Sequence, residues 1–221
     1  DRSGSGHRIP NAEDRWHQGR LEPIVGERGR YHGKFRPVGT SPADALWEVA
    51  VRTSVSFLCE DRGYLLLHAS AVLHDDGVWV FVGPSGSGKS TVATELRGGG
   101  EPFSLDRCII AFDEHGRPIA HSTPFSDAGA VLSGNLSGPL AGISFIQQAP
   151  VHQVRAVTPF EATRELLQQT LAFSRDRERL ERTMAAAGRL AASGLCVRLQ
   201  FARDNRFWQL LKRDPRRVPD G

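Results

Sequence analysis

Cysteine is nearly absent from this chain: Cys59, Cys108 and Cys196 are odd in number, far apart and without metal-ligand spacing. That excludes a disulfide framework or a cysteine metal site as the organising device, and points to reduced thiols in a cytoplasmic protein. Long apolar runs are also missing. None approaches the roughly 20 residues that a spanning helix needs, so a soluble protein with no membrane partner is expected. Nor is there a strong charge of one sign, since 28 basic residues against 25 acidic ones leave a formal +3. The arginines are scattered among aspartate and glutamate, and no nucleic-acid partner is expected. No targeting segment is visible. The chain begins at Asp1 with Met184 as its one methionine, which suggests a processed or truncated N-terminus. Lysine is scarcest among the charged residues; only Lys34, Lys89 and Lys212 occur, so the place of each is informative.

What is present suits one compact domain: 221 residues, 39% of them hydrophobic. Residues 1–30 are Gly- and Arg-rich without periodicity and read as a poorly structured arm, leaving 31–221 as a single domain. Ser41-Pro42 forms a helix start, and a helix follows to about Glu60. Tyr64–Leu73 and Gly77–Val82 read as two strands of a hairpin turned by Asp75-Asp76-Gly77. Cys108–Phe112, Pro118–His121, Leu140–Gln147, His152–Val157 and Leu195–Phe201 read as further strands, with Asp127–Gly138 as a small-residue loop. Thr158-Pro159-Phe160-Glu161 is a capping box that opens a helix to about Leu171. A charged helix from about Arg175 to Ala192 stops at Gly194, and Asn205–Lys212 reads as a last short helix.

The second strand of the hairpin runs into Gly83-Pro84-Ser85-Gly86-Ser87-Gly88-Lys89-Ser90-Thr91, and a helical pattern follows. Gly83, Gly88, Lys89 and Ser90 meet the P-loop pattern G-x-x-x-x-G-K-[ST] in its required strand-to-helix context. Glycines let backbone N–H groups turn toward phosphate oxygens, and the helix N-terminus adds its positive end. In such a cradle Lys89 bridges the β- and γ-phosphates of ATP and the Ser90 hydroxyl ligates Mg²⁺. The bland alternative is a Gly/Ser turn that matches by chance.

A cradle binds nucleotide without fixing its fate, which depends on a further carboxylate. Asp113-Glu114 at the end of a strand imitates the metal-binding and water-activating pair of ATPases. Too few residues separate it from Ser90 for the elements such enzymes carry, and Asp113-Glu114-His115-Gly116 reads better as a hairpin turn. Asp106, one helix and one loop beyond the cradle, could meet both Mg²⁺ and an incoming hydroxyl; its bland reading is a loop carboxylate paired with Arg107. His68 has two readings as well, a packed core histidine or a functional group.

The stretch from His68 to Asp106 resembles the catalytic core of the HPr kinase/phosphorylase family, which is related to phosphoenolpyruvate carboxykinases. His68 stands 15 residues before Gly83 and Asp106 stands 23 after it. His121-Ser122-Thr123-Pro124-Phe125 and the Pro139-Leu140 strand also resemble small kinase-like relatives. Some of these phosphorylate a precursor serine in clusters for ribosomally made peptides, lasso peptides included. The resemblance implies Asp106 as the base and as a ligand of Mg²⁺, with His68 neutralising phosphate charge or orienting Asp106. The family's acidic pair appears here as Leu105-Asp106 or Asp106-Arg107, with one carboxylate missing, which implies transfer without the reverse phosphorolysis. Arg107, Arg155 and Arg198 are open candidates for a phosphoryl contact; His121 and Asp127 read as ordinary loop residues.

The expectation is therefore an α/β P-loop kinase domain of HPr kinase/phosphoenolpyruvate carboxykinase type, with a mixed sheet flanked by helices. It would move the γ-phosphoryl of ATP, with Mg²⁺, to a Ser/Thr hydroxyl of a protein or peptide; homo-oligomers follow only by the family analogy. Two alternatives stand beside this: a kinase for a small hydroxylated molecule such as free serine, and a nucleotide-binding regulatory module without transfer.

Overall fold

The structure, a computed structural model, describes the backbone of residues 7–8, 17–23, 31–37, 43–125 and 135–213, and the side chains of 49–125 and 135–213. The chain divides into two compact units, Asp1–Gly63 with Ala172–Thr183, and Tyr64–Leu171 with Met184–Gly221.

In the first unit β1 (His7–Arg8), β2 (His17–Pro23) and β3 (Tyr31–Pro37) form an antiparallel sheet in that order. Two of these strands fall in the stretch 1–30, where the sequence shows no periodicity; the rest of that stretch lies outside the described residues, as do Ser41 and Pro42. The helix expected there is α1 (Ala43–Arg62), ending at Gly63 in the left-handed region (φ 65°). Near its end the buried Glu60 carboxylate accepts hydrogen bonds from Ser56 Oγ (3.0 Å) and the Phe173 amide (2.9 Å). Burial raises the Glu60 pKa. Asp61 meets Arg179 Nε at 2.7 Å, and the Arg179 guanidinium lies 5.0 Å from the Phe57 ring centroid. Two carboxylates at the end of α1 thus fasten a segment that returns from more than a hundred residues away.

The second unit is α/β with a mixed sheet flanked by helices. Its elements are β4 (Leu65–His74), β5 (Gly77–Val82), α2 (Lys89–Thr94), β6 (Glu101–Ser104), β7 (Arg107–Phe112), β8 (Pro118–Ser122), β9 (Ser137–Gln148), β10 (Gln153–Ala156), α3 (Pro159–Gln169), the end of α4 (Arg177–Ala192), β11 (Cys196–Phe201) and α5 (Phe207–Lys212). The strand order is β10-β11-β9-β5-β4-β7-β8. β5–β9 and β9–β11 are parallel, and the remaining pairings antiparallel. β4 and β9 are long enough to change partners along their length. β4 pairs with β7 through Leu65–His68 and with β6 through Ala71–Leu73, while β9 pairs with β8 at 137–139 before meeting β5. The pairings β4–β5–β9–β8–β7–β4 therefore close a circuit.

Period-two alternation separates two cores. Val78, Val80 and Val82 of β5 join Leu65, Leu67 and Ala69 of β4 in one, against Ala162 and Leu166 of α3 and Ala186, Ala187 and Leu190 of α4. Trp79 and Phe81 face the other, with Val92 and Ala93 of α2 and Phe207, Trp208 and Leu211 of α5. β5 is buried on both faces, which explains its unbroken apolar run. The capping box is formed: Thr158 Oγ1 accepts from the Glu161 amide (3.2 Å) and Glu161 Oε2 from the Thr158 amide (2.9 Å). Two features differ from expectation. β6 was not expected; it tolerates Pro102 because only three of its four residues pair, around a bulge at Ala71/Val72. β9 starts at Ser137, inside the expected 127–138 loop, whose residues 127–134, with Asp127, lie outside the described residues.

Candidate functional site

The Gly83–Thr91 loop follows β5 and leads into α2. Gly86 (φ 77°) and Gly88 (φ 97°) hold the left-handed region, which residues with a Cβ adopt only under strain. A Cβ on Gly83 would come within 2.7 Å of Ser87 Oγ and 3.2 Å of Ile146 Cγ1, so that glycine is required by close packing instead. Lys89 is 7% exposed and folds back over the loop, its Nζ donating to the carbonyls of Gly83 and Pro84 at 2.9 Å each. Pro84, Ser85, Gly86 and Ser90 are exposed, while Ser87, Gly88 and Thr91 are half-buried. α2 has only six residues. Few peptide dipoles are aligned, so the helix end adds less to the loop's electrostatics than its backbone amides and Lys89 do.

β4 brings the dispersed candidates to this loop. Its Ser70 Oγ donates to the Lys89 carbonyl at 2.6 Å, fixing the start of α2. The next residue back, Ala69, gives its amide to the Asp106 carbonyl at 3.0 Å. His68, on the same side of β4 as Ser70, has Nε2 3.5 Å from Asp106 Oδ1. Asp106 lies in the bend between β6 and β7, the two strands that share one edge of β4, and is 3% exposed. Its charge is met by Arg107, whose Nη1 reaches Oδ1 at 2.5 Å and also donates to the Asp106 carbonyl at 3.0 Å. Buried charges persist where they are paired in this way. The Arg107 carbonyl accepts from Ser104 Oγ and, at 2.6 Å, from Thr123 Oγ1. The outcome is a buried carboxylate beside a partly exposed imidazole, the imidazole on the strand next to β5 and the carboxylate on the far edge of that strand.

The three candidate arginines separate clearly. Arg107 contacts Asp106. Arg155 is exposed on β10 near Glu161 (3.6 Å), and Arg198 meets Glu165 of α3 at 2.8 Å, across the sheet from α2. Asp113 is a hairpin residue: its Oδ1 accepts from the amides of His115 and Arg117, and its Oδ2 from Arg117 Nε. These donors hold its pKa below the usual carboxylate value. His121 on β8 is half-buried, and burial lowers its pKa.

A cavity of about 420 Å³ opens beside the loop, lined by Gly88, Thr91, Gln148, Ala149, Phe201 and Arg203. Gln148 at the end of β9 donates to the Gly86 carbonyl at 3.4 Å, and the Ala149 amide to the Phe201 carbonyl at 2.9 Å. Sequence reasoning missed Gln148, Phe201 and Arg203. They carry no motif and meet the loop only through the parallel pairing of β5, β9 and β11. Among the described residues no group of three His, Cys, Asp or Glu side chains could hold a metal ion, and no helix is long and apolar enough to cross a membrane. No family model matches the chain, and the curated proteins offer no match to it.

Proposed function

We propose that this protein is an ATP- and Mg²⁺-dependent kinase that transfers the γ-phosphoryl group to a Ser/Thr hydroxyl of a protein or peptide, on a P-loop domain of the HPr kinase type. The observation that carries the reading is the link through β4: Ser70 on the Lys89 carbonyl, Ala69 on the Asp106 carbonyl, His68 at 3.5 Å from the Asp106 carboxylate. A phosphate-binding loop alone would suit any nucleotide-binding module; a buried carboxylate tied to the loop through β4 is what favours transfer to a hydroxyl.

The residues have distinct parts in this reading. Gly83–Thr91 wrap the phosphates, and Lys89 exchanges its bonds with Gly83 and Pro84 for phosphate oxygens. Asp106 accepts the hydroxyl proton as the new P–O bond forms and the bond to the leaving ADP oxygen breaks. His68 orients Asp106, and Arg107 holds that carboxylate in place. The hard oxygens of Ser90 and Asp106 suit Mg²⁺, which takes one or two carboxylates together with substrate phosphates and would neutralise phosphate charge here.

Asp106→Asn should still bind ATP yet lose about a hundredfold or more in transfer, the usual scale for a positioned base. Lys89→Ala should lose both. Binding is read by calorimetry, and transfer by mass spectrometry of a Ser/Thr peptide library incubated with ATP. Undiminished transfer by Asp106→Asn removes the base assignment. Transfer to free serine but to no peptide selects the small-molecule kinase, and tight ATP binding without transfer to either selects the regulatory module.

A further inference from the structure

We propose that the cavity bounded by Gly88 and Thr91 receives the nucleoside part of the nucleotide, with Gln148 and Arg203 as the polar side chains that hold it; this rests on the phosphate-binding reading of the loop. The loop leaves the end of β5, which has β4 and β7 on one side and β9 and β11 on the other. Asp106 and His68 belong to the β4/β7 side, so the terminal phosphate points there. The cavity is built from the ends of β9 and β11, on the opposite side. β5, β9 and β11 are parallel, so their carboxyl ends lie at one edge, where α/β sheets place ligands.

The lining suits a nucleoside. A volume of about 420 Å³ falls within the range of about 300–1,000 Å³ usual for small-molecule pockets. An aromatic ring, an amide and a guanidinium are present among the six lining residues, and no carboxylate. The Gln148 amide can donate to and accept from a base edge, while Arg203, exposed and 3.6 Å from the likewise exposed Glu95 carboxylate, can leave that partner to close over a ribose or a ring face. Gly88 leaves the room this needs. A Cβ there would come within 3.0 Å of Phe201 Cζ and 3.2 Å of Gln148 Nε2, projecting between these two cavity residues. Glycine serves both the turn of the loop and the room beside it.

The test compares ATP with inorganic tripolyphosphate, which has the phosphates and no nucleoside, by calorimetry on the full chain with Mg²⁺. The native protein should bind ATP more tightly than tripolyphosphate. Arg203→Ala should weaken ATP about tenfold, the scale of a lost charge-assisted contact, and leave tripolyphosphate unchanged. Equal native affinities overturn the pocket while leaving the loop reading intact. So does a parallel loss for both ligands in the variant, which would make Arg203 a phosphate contact. If the native chain binds neither ligand, both readings fall together.

Discussion

At the scale of single residues, burial decides what each titratable group does. His121 has its pKa lowered by burial, so the folded state prefers the neutral ring. The stability this carries is present above the ordinary value near 6.5 and is lost as pH falls through it. Glu60 has a raised pKa and works the other way, its contribution falling as pH rises above 4.5. Thermal melts between about pH 7 and pH 5 should therefore show a loss that His121→Gln flattens; an unchanged slope in the variant would reject the assignment. Residue chemistry was legible in part. The left-handed turns at Gly86 and Gly88 follow from residue type, and Asp113 reads as a turn from its neighbours alone. The partners of Arg107, Arg155 and Arg198 were not legible, since all three are arginines on strands and only the carboxylates they meet distinguish them.

At the scale of elements, β4 holds the candidate site together, and Ser70 is its most direct link to the loop. Ser70→Ala removes a buried hydrogen bond to the Lys89 carbonyl, at a cost of about 1 kcal/mol. For a chain of this length that lowers Tm by roughly 2–4 °C, and ATP binding should weaken with it as the start of α2 loosens. Calorimetric unfolding and binding measure the two effects; a variant with native Tm would show that Ser70 does not anchor the loop. Most elements were legible from pattern, because hydrophobic period, capping box and turn residues are local signals: the β4–β5 hairpin, β7, β8, α1, α3, α4 and β11 all lie where periodicity puts them. β6 was hidden by Pro102 and by its length of four residues. The extension of β9 to Ser137 comes from pairing with β8, a contact no local window contains.

At the scale of the whole molecule, the two units can be followed through their thiols. Cys59 belongs to the first unit, Cys108 and Cys196 to the second, and all three are buried. Burial pushes Cys59 and Cys108 up to about 12, so neither is a thiolate near neutral pH. Iodoacetamide at pH 8 should leave all three unmodified in the native protein. Along a urea series Cys108 and Cys196, which share one core, should become reactive together; reaction of either one in native buffer, or at separate urea concentrations, would contradict that shared core. The sequence by itself determined the loop, the run of strands and helices around it, and the spacing of His68 and Asp106 from it, because these depend on residue type and local order. The tertiary structure alone decided the circuit of strands, the return of 172–183 to α1, the Arg107–Asp106 pair and the cavity beside Gly88. Each of these joins residues far apart in the chain, and such pairings depend on strand order and burial, which no local pattern carries.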